Sequence, residues 1–192
     1  MGTRTPWGTA DSSEKVAKGV MRYDTPSHGG YHLSASANVL VHEAWRTAKG
    51  WYEEDCEWAI VAMTFPTLFS AESLAHAKET AKAYYPDQYT AVTGESVSPS
   101  ESHVLRYRAA QETFKHAYIG ICAFGDWHAD VPEGMVGVVA TLGGERSGAP
   151  EKSFLVTEAE YEGERCALGL IVNMATAKEV PGFGTNTKQV AG

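Results

Sequence analysis

Two polar segments near the N-terminus contain the side-chain types best suited to chemistry. TPSHGGYH holds His28 and His32, and WYEEDCEW holds Glu54, Asp55 and Cys56. Imidazole and carboxylate groups are common ligands of divalent transition metals. His28, His32 and Asp55 are therefore candidate ligands of a divalent metal, although the spacing of the two histidines is not a recognised zinc pattern.

The same segments also offer a nucleophile and a base. Cys56 as nucleophile and His28 as base, with Glu54 and Asp55 beside them, form a candidate catalytic set for a hydrolase. A helical pattern places Cys56 on an apolar face, and the neighbouring carboxylates raise the pKa of its thiol, so an inert cysteine is favoured. A third interpretation is structural: an imidazole of the first segment hydrogen-bonds a carboxylate of the second and holds the two together.

A hairpin and a helix must position these groups. The pattern predicts strands at 19–23 and 31–33, joined by a turn-rich loop, and a helix over 51–65. In that helix Glu53 and Glu57 would complement the positive end of the helix dipole. Asp55 would face the buried side, where a carboxylate needs a partner.

The rest of the pattern changes from helical to extended periodicity near residue 117. Runs of helices before runs of strands indicate an α+β fold, with the N-terminal hairpin and helices packed on a mostly antiparallel C-terminal sheet. A single domain over 1–192 is expected, with mobile tails at about 1–5 and 182–192. The further predicted elements are a helix at 38–48, a helix from Ser70 to about Tyr85, a loop at 87–97, a helix at 98–117, strands at 118–124, 135–142, 153–156 and 167–173, and a capping box at 157–160.

A second polar cluster lies in the loop between two of these strands. Trp127, His128 and Asp130 are candidate partner-binding residues, because exposed loops with a tryptophan commonly contact other molecules. A hairpin turn with local aspartate hydrogen bonds accounts for the same residues.

Composition excludes several classes of function. The 192 residues carry 24 acidic and 16 basic side chains, a formal charge of −8, without a basic cluster, which opposes direct binding to nucleic acid. No run is apolar enough to span a membrane. Three cysteines, Cys56, Cys122 and Cys166, without metal spacing indicate free thiols in a reducing cytoplasm.

Several motifs together resemble a known family. TPWG at 5–8, TPSHGGYHLS at 25–34 and WYEEDCEWAIV at 51–61, with GDWHADVPEGMV and SFLVTEAEY further on, are similar to an uncharacterised family, a domain of unknown function, of bacterial, plasmid and phage proteins. The resemblance implies a mobile-element setting, in which small acidic proteins often interfere with host defence or restriction systems.

The leading hypothesis is therefore a phage- or plasmid-type accessory protein that binds a host macromolecule, such as a defence component, in the bacterial cytoplasm. One alternative is a metal-dependent or Cys/His hydrolase that uses the HGG loop and the EED segment. Another is a small-ligand-binding protein. The sequence pattern defines no oligomeric state.

Overall fold

The computed structural model of the protein describes residues 2–163 and 165–184. The chain divides into two compact units, Met1–Leu105 and Arg106–Gly192, and the single domain over 1–192 stays a prediction. Of the predicted mobile tails, residues 1 and 185–192 lie outside the described residues, whereas Arg4–Thr5 forms a strand. Helices and antiparallel sheets occur together, which confirms the predicted α+β class.

The N-terminal unit alternates short strands with helices. Its elements in chain order are β1 (Arg4–Thr5), β2 (Gly8–Thr9), β3 (Ser12–Ala17), β4 (Val20–Asp24), β5 (Gly29–Leu33), α1 (Ala35–Asn38), β6 (Trp51–Glu53), α2 (Trp58–Thr64), a 3-10 turn (Pro66–Leu68), α3 (Ala71–Tyr84), α4 (Pro86–Thr93) and the start of α5 (His103–Phe114). Strand β3 is not among the predicted elements, because its mostly exposed side chains lack the apolar alternation of a half-buried strand.

An antiparallel sheet with the strand order β3-β4-β5-β6 is the base of this unit. The predicted hairpin is confirmed as β4 and β5, with Val20 paired to Leu33 and Asp24 paired to Gly29. One face of the sheet packs against α2 and α3 to form a core, whereas the sequence pattern predicted that the helices pack on the C-terminal sheet. The buried residues of this core are Val20, Leu33, Ala37, Val41, Trp45, Tyr52, Ala59, Ile60, Val61, Ala62, Ala77, Ala81 and Tyr89.

The helix predicted at 38–48 is wrong, since α1 ends at Asn38. Side chains satisfy the backbone of the following segment in place of helical hydrogen bonds. The side-chain amide of Asn38 donates to the main-chain carbonyl of Thr47 at 2.9 Å, and the hydroxyl of the buried Tyr52 donates to the side-chain oxygen of Asn38 at 2.6 Å. The Arg46 guanidinium donates to two further carbonyls, those of Val39 and Val41.

The helix predicted over 51–65 is also wrong in its first half. Trp51–Glu53 is strand β6, and α2 begins only at Trp58. Glu53 lies on a strand, so the helix-dipole explanation is wrong for Glu53. Glu57 is the N-cap residue of α2 and therefore lies at the positive end of that helix. Asp55 is exposed in the turn between the two elements and does not face a buried side.

The later helices follow their capping residues with two shifts. Ser70 caps α3 as predicted, because its hydroxyl accepts a hydrogen bond from the Ser73 amide at 3.0 Å. Pro86 opens α4, so the predicted loop is wrong as far as Thr93. Helix α5 begins after Ser102, whose hydroxyl accepts from the Leu105 amide. No helix in the described part of the chain is long and apolar enough to cross a membrane.

The C-terminal unit contains the elements β7 (Tyr118–Phe124), β8 (Met135–Leu142), β9 (Glu151–Thr157), α6 (Glu158–Tyr161), β10 (Arg165–Cys166), β11 (Gly169–Leu170) and β12 (Lys178–Val180). Four of these strands form a second antiparallel sheet, in the order β12-β9-β8-β7. The predicted strands at 118–124 and 135–142 are confirmed, as is the capping box between Thr157 and Glu160. The predicted strand at 167–173 is reduced to two residues and one bridge between Ile119 and Ile171.

Gly30 is the tightest point of the N-terminal sheet. A Cβ atom built there would contact the Tyr52 carbonyl oxygen and would lie 2.5 Å from the Trp7 ring. The Tyr52 carbonyl oxygen belongs to the main chain of a paired strand, so it cannot move away from an added Cβ atom as a flexible side chain could. The absence of a side chain at Gly30 therefore allows both the pairing of β5 with β6 and the approach of Trp7.

Replacing Gly30 by alanine is expected to destabilise the protein by about 1–3 kcal/mol, the usual range for an overpacked site. Urea unfolding followed by circular dichroism measures the change. Gly182→Ala is the matched control, because a Cβ there has nothing within 4 Å, and its stability should equal that of the wild type. Equal stability of both variants would contradict this prediction, because it would show that the sheet accommodates a methyl group at position 30.

Candidate functional site

The N-terminal sheet has two chemically different faces, because successive side chains of a strand point to opposite sides. The face toward α2 and α3 carries Val20, Leu33 and Tyr52. The opposite face, called here the outer face, carries the alternate residues of β4, β5 and β6. Its members are Met21, Tyr23, Gly30, His32, Trp51 and Glu53, joined by Trp7 from the turn between β1 and β2.

Aromatic rings cluster on the outer face around Trp51. The centroid of the Trp7 ring lies 5.7 Å from that of Trp51 in an edge-to-face arrangement, and the Tyr23 ring lies at 5.4 Å. His32 stacks on Trp51 at 4.2 Å with an interplanar angle of 33°. All four rings are only partly buried, so the cluster presents aromatic surface to solvent.

His32 is therefore an aromatic neighbour of Trp51 in this structure. Burial lowers its pKa below the ordinary value of 6.5, although a backbone hydrogen bond with Lys49 acts in the other direction. The neutral imidazole is then the form present at neutral pH. His32 is not among the residues whose ligand atoms meet at His28.

His28 lies beside an acidic group at one end of the outer face. Its Nδ1 is 3.2 Å from Oε1 of Glu53, and the Asp55 amide donates to Oε2 of the same carboxylate at 3.0 Å. The Glu53 amide in turn donates to Glu57 at 2.9 Å. The predicted bond between an imidazole and a carboxylate is thus present, but its acceptor is Glu53 on a strand.

The His28 group contains three potential metal ligands. One ligand atom each from His28, Glu53 and Asp55 lies within 4.8 Å of the others. Two ligands of one zinc ion lie at most about 4.2 Å apart, since each bond is about 2.1 Å long. The three atoms are thus slightly more widely spaced than the ligands of a bound zinc ion, and His28 and Asp55 are exposed.

Glu54 belongs to a different environment. Its amide donates to the Gly29 carbonyl at 3.0 Å, and its carboxylate approaches the position of a Gly29 Cβ, as does that of Asp24. Burial by itself lowers the pKa of the Arg22 guanidinium. The charge of Asp24 and the hydrogen bond from Arg22 to Asp24 raise this pKa, with smaller effects of Tyr31 and Glu54, so that it lies above the ordinary value. Glu54 therefore belongs to a charged group with Arg22 and Asp24, and not to the group of His28. Glu54, Arg22 and Trp58 line a cleft of about 370 Å³.

Cys56 is partly buried close to several acids. Burial raises the pKa of its thiol, and the charges of Asp55, Glu53 and Glu57 raise it further. Burial, followed by the charges of Glu57, Cys56 and Glu53, also raises the pKa of Tyr85 to about 12. Local electrostatics thus disfavour an anionic nucleophile at Cys56, which is a free cysteine.

The DWHAD loop of the C-terminal unit divides between surface and interior. Trp127 is 54% exposed, whereas His128 is buried. The His128 ring accepts from the Asp130 amide at 3.2 Å and pairs through Nε2 with the Gly184 carbonyl at 2.7 Å. Asp130 accepts from the Gly184 amide at 3.1 Å, so His128 and Asp130 hold the 181–184 segment, and Trp127 remains available to a partner.

Sequence reasoning did not assign Glu53 to the site. Glu53 was assigned to the first turn of a helix, and only its position on β6 places it beside His28. The alternation of Trp51, Tyr52 and Glu53 was the signal that could have indicated a strand. Trp7 belongs to the TPWG motif at 5–8, but its contact with Gly30 depends on the whole sheet and has no local signal.

Fold and site together define an α+β protein with an aromatic and acidic outer face on its N-terminal sheet. Residues 1–115 match the model of a family described as a domain of unknown function (DUF7007), and the chain belongs to that family. The match includes the motifs at 5–8, 25–34 and 51–61, whereas GDWHADVPEGMV and SFLVTEAEY lie beyond it. No curated protein and no solved structure matches the chain.

Cys56 is expected to react with iodoacetamide more slowly than the exposed Cys122 in the native protein at neutral pH, because its thiol pKa is raised. Its rate should increase with pH around a midpoint above the ordinary 9.0, and Glu57→Gln should lower that midpoint. Mass spectrometry of the alkylated peptides separates the two sites. Faster reaction at Cys56 than at Cys122 would contradict this prediction and favour a cysteine hydrolase.

Proposed function

We propose that the protein is an accessory protein of a bacterial mobile element, phage or plasmid, that binds a host macromolecule in the cytoplasm through its outer face. The partner class favoured is a host protein, such as a defence or restriction component. The observation that carries the proposal is the cluster of Trp7, Tyr23, His32 and Trp51, in which each ring remains partly exposed.

Aromatic side chains that are held in place but still exposed suit protein recognition. They provide a large contact area with little loss of conformational entropy, and tryptophan and tyrosine are enriched among residues that dominate binding energy. Contacts with Trp51 already hold the rings of Trp7, Tyr23 and His32, so binding would not have to order them.

The negative charge of the protein favours a protein partner over nucleic acid. The protein has a formal charge of −8, and Glu53 and Asp55 lie at the end of the outer face. Phosphate groups of nucleic acid would be repelled there, whereas a basic or aromatic surface of a protein is complementary. The resemblance of the N-terminal motifs to proteins of bacteria, plasmids and phages supports a host protein as that partner.

Outer-face variants are expected to lose the partner. Tyr23→Ala and Trp7→Ala should each weaken binding by about 2 kcal/mol or more, the range of residues that dominate an interface. Affinity purification from host extract with quantitative mass spectrometry identifies the partner, and calorimetry with the purified partner measures the affinity. Tyr84→Ala is the matched control, since Tyr84 is 47% exposed on α3, and it should bind like the wild type.

Circular dichroism must show that the outer-face variants remain folded. Phage or plasmid survival in cells that express each variant provides the biological readout. A protein that enriches no host partner and leaves survival unchanged would remove the basis of the proposal.

A second candidate function, metal-dependent hydrolysis, is favoured by the His28 group. Its three donor atoms lie within 4.8 Å of one another. Three protein ligands are also the number found in catalytic zinc sites, where the fourth coordination position stays open. Metal hydrolases use a bound ion to activate water. The raised pKa of Cys56 makes the metal version of the hydrolase hypothesis stronger than the Cys/His version.

Untagged protein is expected to bind zinc or manganese at a ratio of one to one if this second function holds. His28→Ala should reduce the affinity by at least about tenfold, since even the loss of an outer-shell partner has effects of that size. Isothermal titration calorimetry measures both values. His116→Ala is the control, because His116 is exposed in the turn that follows α5, and this variant should bind the metal like the wild type. Absence of metal binding by the wild type would exclude a metal-dependent reaction at the His28 group.

A further inference from the structure

Two arginines face one cleft in the C-terminal unit. Arg146 lies in the loop between β8 and β9, and Arg165 lies on β10. The cleft has a volume of about 250 Å³ and is also lined by Tyr161, by the exposed Cys122, and by the buried Leu168 and Leu170. It thus combines a cationic rim with an apolar floor.

Each guanidinium is held in position by a contact within its own unit. Arg146 Nη1 donates to the Ile121 carbonyl at 3.2 Å, at the irregularity where β7 loses its regular pairing with β8 between Gly120 and Cys122. Arg165 Nη2 donates to the Tyr161 carbonyl at 2.9 Å. Since a guanidinium has five N–H donors, each arginine keeps most of its donors for another molecule.

The Arg165 guanidinium also lies over an aromatic ring, 4.7 Å from the centroid of Tyr161. Such a contact orients the planar group and restricts its rotation. A side chain restricted in this way loses less entropy when it binds an anion.

The positive charge of the cleft is unusual in an acidic protein. Among residues 2–163 and 165–184, neither Arg146 nor Arg165 forms an ion pair with an acidic side chain. The described residues that line the cleft include no carboxylate. Two guanidinium groups that line one cleft, with no acidic partner in the described part of the chain, create a local positive potential.

The floor of the cleft is formed by a close approach of two strands. A Cβ atom built on Gly169 of β11 would lie 2.6 Å from the Gly120 carbonyl oxygen of β7, and one built on Gly120 would lie 3.0 Å from Val138. Glycine at both positions lets β11 lie against β7, and Leu168 and Leu170 line the cleft together with the two arginines.

We propose that this cleft binds a small molecule that carries a phosphate or a carboxylate group beside a compact apolar part. Arginine pairs with both kinds of oxyanion through two parallel hydrogen bonds, and the leucine floor accepts the apolar part. A volume of about 250 Å³ lies just below the range of about 300–1,000 Å³ typical of pockets for drug-sized ligands. The ligand is therefore smaller than a drug-sized compound.

Titration of the full chain with phenyl phosphate and with benzoate tests the proposal and separates the two oxyanions. Either probe should bind at a ratio of one to one, measured by calorimetry, and the affinity should fall as salt is raised. Arg146→Ala and Arg165→Ala should each weaken binding by about tenfold, the effect of losing a charge-assisted hydrogen bond. Arg4→Ala, which removes an exposed arginine of the N-terminal unit, is the matched control and should not change the affinity.

Cys122 supplies an independent readout within the cleft. The bound probe should slow alkylation of Cys122 but not of Cys56 in the wild type, and protection should disappear in the double variant Arg146→Gln, Arg165→Gln. Circular dichroism checks that the double variant is folded. Failure of both probes to bind, or binding that both arginine variants leave unchanged, would overturn the proposal and would leave the outer-face function unaffected.

Discussion

The pairing of β5 with β6 is the constraint on which the N-terminal unit depends. Only three residues of each strand pair, Gly30 with Glu53, Tyr31 with Tyr52 and His32 with Trp51. This register sends the Tyr52 ring into the core, where its hydroxyl bonds Asn38. A shift by one residue would expose Tyr52 and bury Glu53, so burial of the tyrosine fixes which side chains reach the outer face.

The outer face follows from that register. Three segments that are distant in sequence meet there, because Trp7 packs on Trp51 and over Gly30, and His28 pairs with Glu53. The same segments carry the motifs that resemble the family, and all lie within the matched residues 1–115. The first compact unit ends at Leu105, so the family match covers that unit with only a short extension.

Electrostatics give the two units different local chemistry. Around β6, burial raises the pKa of the Cys56 thiol, and the charges of Asp55, Glu53 and Glu57 raise it further. This environment opposes a thiolate and favours cations and neutral groups. In the C-terminal unit Arg146 and Arg165 share a cleft whose described lining has no carboxylate. A chain with one net charge of −8 thus offers both an acidic and a basic local environment.

The sequence by itself determined the α+β class, the hairpin, strands β7 and β8, and the helix cap at Ser70, because period, turn residues and capping pairs are local signals. It did not determine the boundary between β6 and α2. Trp51 to Phe65 reads as one helix by its apolar pattern, and only hydrogen bonds to β5, twenty residues earlier in the chain, make its first residues a strand. Because of this long-range pairing, Glu53 is the partner of His28 and does not lie in the first turn of a helix. Glu54 lies on the opposite side of the sheet, and Asp55 is exposed. Tertiary structure alone decided the site, since contacts between distant segments outweigh local propensity wherever a short element gains its hydrogen bonds from a neighbouring strand.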